Sequence, residues 1–161
     1  MSKKRLPTAL KGEAASSDVA SGFVSPLSDS AGFLFRLAQI RAFDEFHRSF
    51  AGLGVTPTSF AVFALIVANR GIRPSAIADE LRVKSSNVAA LVNALVDKKL
   101  VVRRQDVAEL RASRLYPTKV GVKAHQEMFK VHLLTDNHLL SALDEKERTK
   151  LIALLRKLLQ G

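Results

Sequence analysis

Pro74-Ser75-Ala76-Ile77-Ala78-Asp79-Glu80-Leu81, Arg82-Val83-Lys84, then Ser85-Ser86-Asn87-Val88-Ala89-Ala90-Leu91-Val92-Asn93-Ala94-Leu95 is the stretch that decides the fold. Proline at a first helical position opens a short helix over 74–81, because its missing N–H is unneeded there. Ser85 or Ser86 is expected to cap a second helix reaching to about Lys98. Val88, Leu91, Val92 and Leu95 follow the i, i+3, i+4, i+7 spacing of one buried face. Two short helices thus meet across a three-residue turn.

A hairpin comes next. Leu100-Val101-Val102-Arg103-Arg104 and Ser113-Arg114-Leu115-Tyr116-Pro117 read as short strands flanking a polar tip, 105–112. Two helices, a tight turn and a hairpin describe a winged helix-turn-helix, whose second helix enters the major groove. Upstream, Thr56-Pro57 opens a helix that runs to Gly71, a C-terminal stop. A long helix precedes it, Ser30 to Phe50, with Asp29 or Ser30 as its cap. Phe33, Leu37, Ile40, Phe43 and His47 form one stripe on it; Phe35, Ala38, Ala42, Phe46 and Phe50 form another. Two apolar stripes require two bodies to cover them. Downstream, Thr118 starts a helix to about Ala142, and Asp144 with Glu147 signals a capped helix over 145–159. That last helix is leucine-rich on one face and has too little neighbouring chain to cover it. The expected fold class is mainly α with a small β-wing: a winged helix-turn-helix plus a helical dimerisation region. The boundaries read as 1–29, a flexible N-terminal tail; 30–54, a first dimerisation helix; 55–118, a DNA-binding lobe; and 119–161, C-terminal dimerisation helices.

Charge supports the same reading. The 161 residues carry 25 Lys plus Arg against 15 Asp plus Glu, a net charge of +10. Residues 70–123 hold twelve bases and five acids, so one third of the chain holds most of the excess. Duplex DNA rewards such concentration through counterion release. Cysteine is absent, which excludes thiol catalysis, disulfides and Cys-ligated zinc. With no Gly-rich phosphate loop and no nucleophile elbow either, no enzyme is expected. No apolar run reaches the ~18 residues of a membrane span, and no signal peptide is expected. The working location is expected to be the cytoplasm, with no membrane partner.

The chain resembles the MarR family of bacterial transcription regulators, over about residues 30–160. The resemblance is carried by Val55-Thr56-Pro57-Thr58-Ser59-Phe60, Ile77-Ala78-Asp79-Glu80-Leu81, Val83-Lys84-Ser85-Ser86-Asn87-Val88, Leu91-Val92-Asn93-Ala94-Leu95 and Leu100-Val101-Val102-Arg103-Arg104. Pro117-Thr118-Lys119-Val120-Gly121 is similar to the family's Leu-Thr-x-x-Gly. The chain departs from the pattern at Arg82 and at Lys99, where the family usually has Gly. It departs again at Ala89 and Ala90, and at Glu109-Leu110-Arg111 in place of Asp-x-Arg. The resemblance implies a homodimeric, sequence-specific regulator, expected to be a repressor, on a pseudo-palindromic operator. The alternative is a winged-helix protein-interaction module without DNA binding.

The candidate DNA-binding residues are Lys84, Ser85, Ser86, Asn87, Ala90, Arg103, Arg104, Arg111 and Arg114. Asn87 can bond adenine bidentately, and Ala90 can meet a thymine methyl. The serines can equally cap the helix. Lys84 suits a phosphate, and Arg111 at the wing tip suits a narrow minor groove. Arg103, Arg104 and Arg114 lie on the strands and can clamp the backbone, with at least one expected to be solvated or paired.

Seven of the nine Phe fall in 33–63, which reads either as core and dimer interface or as an aromatic-lined cavity. The resemblance implies a small anionic or phenolic effector in such a cavity, an aromatic acid or its acyl-CoA thioester. The candidate pocket residues are Arg36, Ile40, Phe43, His47, Phe60 and Phe63. Arg41–Glu45 and Asp44–Arg48 are spaced for surface pairing. The four His lack metal-ligand spacing, so no metal and no cofactor are expected.

Overall fold

The computed structural model describes residues 25–105 and 113–160. All of the expected wing tip but Gln105, and most of the expected tail, lie outside them. The order is α1 (Ala31–Ser49), α2 (Pro57–Ala68), α3 (Pro74–Leu81), α4 (Ser85–Asp97), β1 (Val101–Gln105), β2 (Ser113–Pro117), α5 (Lys119–Leu139) and α6 (Glu145–Gln160). A mainly helical chain carries one small antiparallel sheet, as expected.

Local chemistry sets these bounds. Thr56 caps α2 by accepting from Ser59 N at 3.2 Å, while Ser59 Oγ accepts from Thr56 N at 2.8 Å. Asp144 and Glu147 make the same reciprocal pair ahead of α6, both at 2.9 Å. Ser30 stands at the N-cap of α1 but makes no side-chain cap bond. Thr118 ties the wing to α5: its hydroxyl accepts from Gly121 N and donates to Lys99 O, each at 2.9 Å. Gly121 is required by space. A Cβ there would run into the Leu100 carbonyl, so the helix can approach the wing root only without a side chain.

The lobe core is a contiguous set of Val62, Phe63, Ile66, Ile77, Ala78, Val88, Val92, Val101 and Leu115. It draws on α2, α3, α4 and both strands, so the hairpin and α4 share one interior. Gly71 N donates to Leu115 O at 2.7 Å and Leu115 N to Ile72 O at 3.0 Å, which pins the sheet to the end of α2. A smaller cluster, Phe46, Phe50 and Phe60, joins α1 to the lobe, with Met128 and Val131 of α5 packed against it.

Two residues bracket α4 in the left-handed region, Arg82 at φ 51 and Lys99 at φ 57. Each follows a helix that ends in paired back-bonds. Val83 N bonds Ala78 O at 3.0 Å and Arg82 N bonds Asp79 O at 3.3 Å; Leu100 N bonds Leu95 O at 2.9 Å and Lys99 N bonds Val96 O at 2.8 Å. Both are Schellman closures, which normally place Gly at the left-handed position. The two departures from the family pattern are therefore departures in side chain, with the turn geometry retained.

The second stripe of α1 divides along its length. Phe46 and Phe50 are buried, whereas Leu34, Phe35, Leu37, Ile40 and Phe43 are 45–49% exposed. α6 buries no residue, and Ile152, Leu154, Leu158 and Leu159 stand open.

Candidate nucleic-acid interface

The site is built on the first turn of α4. Its N-cap is Lys84, with no side-chain cap bond, which corrects the expectation that Ser85 or Ser86 caps the helix. The chain is already helical at Ser85, because burial of Val88 and Val92 fixes the helix phase and the turn ends at Val83-Lys84. Ser85, Ser86 and Asn87 thus occupy the first three helical positions, exposed. Asn87 N bonds Lys84 O at 2.9 Å. Among the described residues the Ser85 and Ser86 N–H groups have no partner. A helix start with free N–H groups, two hydroxyls, an amide and a lysine is a ready anion and base-edge reader. Ala89, Ala90 and Asn93 are exposed further along the helix, opposite Val88 and Val92.

The strand arginines part company. Arg103 Nη2 donates to Asn93 Oδ1 at 2.8 Å, bridging β1 to α4. Arg104 lies 5.0 Å over the Tyr116 ring, a cation–π contact that steadies it on the sheet face. Arg114 sits directly across from Arg104. It is half-buried and donates to Gly71 O at 3.1 Å, so this guanidinium is engaged inside the fold. Arg111 lies outside the described residues.

Two of the candidate pocket residues lie at one cavity. Phe60 and Phe63 line a cavity of about 200 Å³ between α2, α4 and α5, with Val55, Leu91, Leu95, Leu100 and Met128; Thr56, Ser59 and Lys98 are its polar groups. Arg36, Ile40, Phe43 and His47 are exposed along α1 and do not line it. The α1 pairing also differs. Arg48 bonds Glu45 at 2.6 Å, one turn back, and His138 of α5 stands 3.8 Å from the same carboxylate.

Sequence reasoning missed the packing of His125 and His132. The His125 ring stacks on Phe60 at 6.0 Å and meets Phe63 edge-on at 5.6 Å; His132 lies 4.8 Å from Phe60. Among the described residues His125 Nε2 and His132 Nδ1 are buried without a hydrogen-bond partner. Burial pushes the His125 imidazole below its ordinary value. Their seven-residue spacing on α5 was the available signal. Among the described residues no group of three or more His, Cys, Asp or Glu could hold a metal, and no helix is long and apolar enough to cross a membrane.

The same architecture recurs in known proteins. The family model described as MarR family matches residues 53–112. A transcriptional regulatory protein for the hcr operon of Thauera aromatica is 32% identical over 149 residues, 92% of this chain and 90% of its own length. The structure of the transcriptional repressor CouR, bound to a 23-mer DNA duplex, superposes with TM-score 0.77 at 28% identity, covering 82% of this chain and 94% of CouR. BpsR of Bordetella bronchiseptica, whose DNA binding is regulated by 6-hydroxynicotinic acid, superposes with TM-score 0.78 at 20% identity. That alignment covers 86% of this chain and 99% of BpsR, and at this identity the likeness is one of fold.

Proposed function

The chain belongs to the MarR family of transcriptional regulators, and from that premise we propose that it is a homodimeric repressor that reads a pseudo-palindromic operator and leaves it when a small aromatic acid binds. It is a DNA-binding regulator and not an enzyme. The observation that carries the finer reading is the start of α4. Ser85, Ser86 and Asn87 are exposed at an uncapped helix end, within the third of the chain that holds most of the excess positive charge.

In this reading Ser86, Asn87 and Ala90 meet base edges, while Lys84, Ser85 and Arg104 meet phosphates. Arg103 braces the wing, and Arg111 enters the minor groove. Arg114 is dropped from the DNA-facing set, since Gly71 O already takes its guanidinium. Residues 55–118 form the DNA-binding lobe. Residues 30–54 and 119–161 form the dimer, and the exposed apolar faces of α1 and α6 are the surface a second copy covers. Two symmetric lobes ask for two half-sites about one helical turn apart. The protein works in the cytoplasm, where that DNA is.

The effector reading rests on the cavity between α2, α4 and α5. At about 200 Å³ it suits a single aromatic ring, with Lys98 at its wall for a carboxylate. An acyl-CoA thioester would seat only its acyl end there. Because α4 forms one wall, a ligand that binds better to one setting of α4 shifts the DNA-binding population.

The test is a gel shift on the region upstream of the protein's own gene, at increasing salt. Steep loss of binding with salt, about 0.9 log units of affinity per log unit of salt for each phosphate neutralised, supports the reading. Binding that ignores salt, or no binding at all, favours the protein-interaction alternative.

A further inference from the structure

We propose that Arg82, in the turn between α3 and α4, is a phosphate-contacting residue of the DNA interface, and that an arginine rather than a glycine stands at this left-handed position for that contact. The inference rests on reading α4 as the helix that enters the groove.

Arg82 has φ 51 and ψ 43, a conformation that crowds any Cβ and that Gly adopts freely. The turn needs the geometry, because Val83 N and Arg82 N close the end of α3 there. It has no need of an arginine. The side chain is exposed, and among the described residues it has no hydrogen-bond or ion-pair partner. Asp79 and Glu80 share the shallow hollow that Arg82 lines, yet neither pairs with it. A strained cation that leaves nearby carboxylates unused calls for a partner outside the chain.

Position supplies one. Arg82 precedes Ser85 by three residues, so their Cα atoms are at most ~10 Å apart. A helix ~10–12 Å across fills a major groove ~12 Å wide, so a cation beside its entering end faces a phosphate wall. Arginine matches a phosphate with two parallel donors.

Lys99 is the built-in control. It repeats the same closure at the other end of α4, with φ 57. The 13 residues of α4 place it ~20 Å up the helix from the entering end. There its carbonyl accepts from Thr118 at the wing root.

The experiment uses the full chain and a duplex recovered by in vitro selection with the wild-type protein. Arg82→Gly, Arg82→Lys and Lys99→Gly are each compared with wild type in thermal melts and in fluorescence-anisotropy titrations across salt. Both glycine variants are expected to melt about 2–4 °C higher, since each relieves left-handed strain. Arg82→Gly is expected to bind roughly three- to tenfold more weakly, with the salt slope shallower by ~0.9 for each phosphate no longer neutralised. Arg82→Lys keeps most of the affinity, and Lys99→Gly stays within about twofold of wild type. A variant that becomes more stable and binds worse cannot owe its loss to misfolding. Wild-type affinity and slope in Arg82→Gly would overturn the inference while leaving DNA binding intact. Equal losses in Lys99→Gly would overturn it too, by tracing the effect to total charge. Failure of the wild type to recover any duplex would remove the DNA reading itself.

Discussion

The Arg103 guanidinium donates a 2.8 Å hydrogen bond to the Asn93 side-chain oxygen, so the first wing strand is tied to the exposed face of the recognition helix. In the proposed reading wing and helix meet two grooves at once, and this bond adds to the shared core that sets their angle. If Arg103 acts as a brace, Arg103→Ala and Asn93→Ala each weaken operator binding by roughly two- to fivefold, the range of one exposed hydrogen bond. The double variant then loses little more than either single one, because both remove the same interaction. Anisotropy titrations check this. A shallower salt slope in Arg103→Ala alone would instead make Arg103 a direct phosphate contact.

The capping pattern gives a stability contrast. Thr56 holds Ser59 N at the start of α2, whereas Ser85 and Ser86 hold nothing at the start of α4. Thr56→Ala is expected to lose about 1 kcal/mol, and Ser86→Ala to stay within about 0.5 kcal/mol of wild type. Urea unfolding measures both. A loss at Ser86 as large as at Thr56 would return that serine to a capping role.

Asn87 separates reading from holding. Its replacement by Ala is expected to cost roughly 1–3 kcal/mol on the selected site and much less on random duplex, with the salt slope nearly unchanged. Equal weakening on both duplexes would make Asn87 a phosphate contact.

Much of this was legible in the sequence because it is local. Pro74 and Leu81 bound α3 where the turn chemistry says they should, and Asp144 with Glu147 announces α6. Arg82 and Lys99 stand out as departures, and both prove to be left-handed. The cap of α4 was not legible. Ser85 and Ser86 are adjacent capping residues, and only the burial of Val88 and Val92 against the lobe sets the phase that places both inside the helix. Arg114 reads like any strand arginine until Gly71 is brought beside β2 by the folded lobe. The cavity wall of Leu91, Leu95 and Met128 is likewise set by how α4 and α5 pack. Periodicity along α1 instead favoured Arg36, Ile40, Phe43 and His47, which lie elsewhere. Phe60 and Phe63 line the cavity from α2, where they are three residues apart on one helical face.

His125 makes stability depend on pH. Burial against Phe60 and Phe63 holds its imidazole below the ordinary value of 6.5, and α2 brings no charged side chain to it. On α5, Phe129 packs beside it, and Glu127 and Lys130 share its groove. On α1, the Glu45 carboxylate is engaged with Arg48 and lies near His138. An unfolded chain takes up the proton near 6.5 and the folded one only lower. Below about pH 6.5 the unfolded state therefore binds more protons, and stability falls as pH falls towards the folded value. Urea midpoints at about pH 7.5 and about pH 5 are expected to differ less in His125→Leu than in wild type. The same difference in both would remove His125 as the source of the pH effect.

Selection of duplexes from a random pool by the wild-type protein, followed by sequencing, tests the central claim most directly. The account predicts an enriched inverted repeat whose half-site centres lie about 10 base pairs apart, one helical turn, as two symmetry-related α4 helices on one face of the duplex require. A pool that stays random after repeated rounds, or one enriched only in a single unrepeated site, would contradict it.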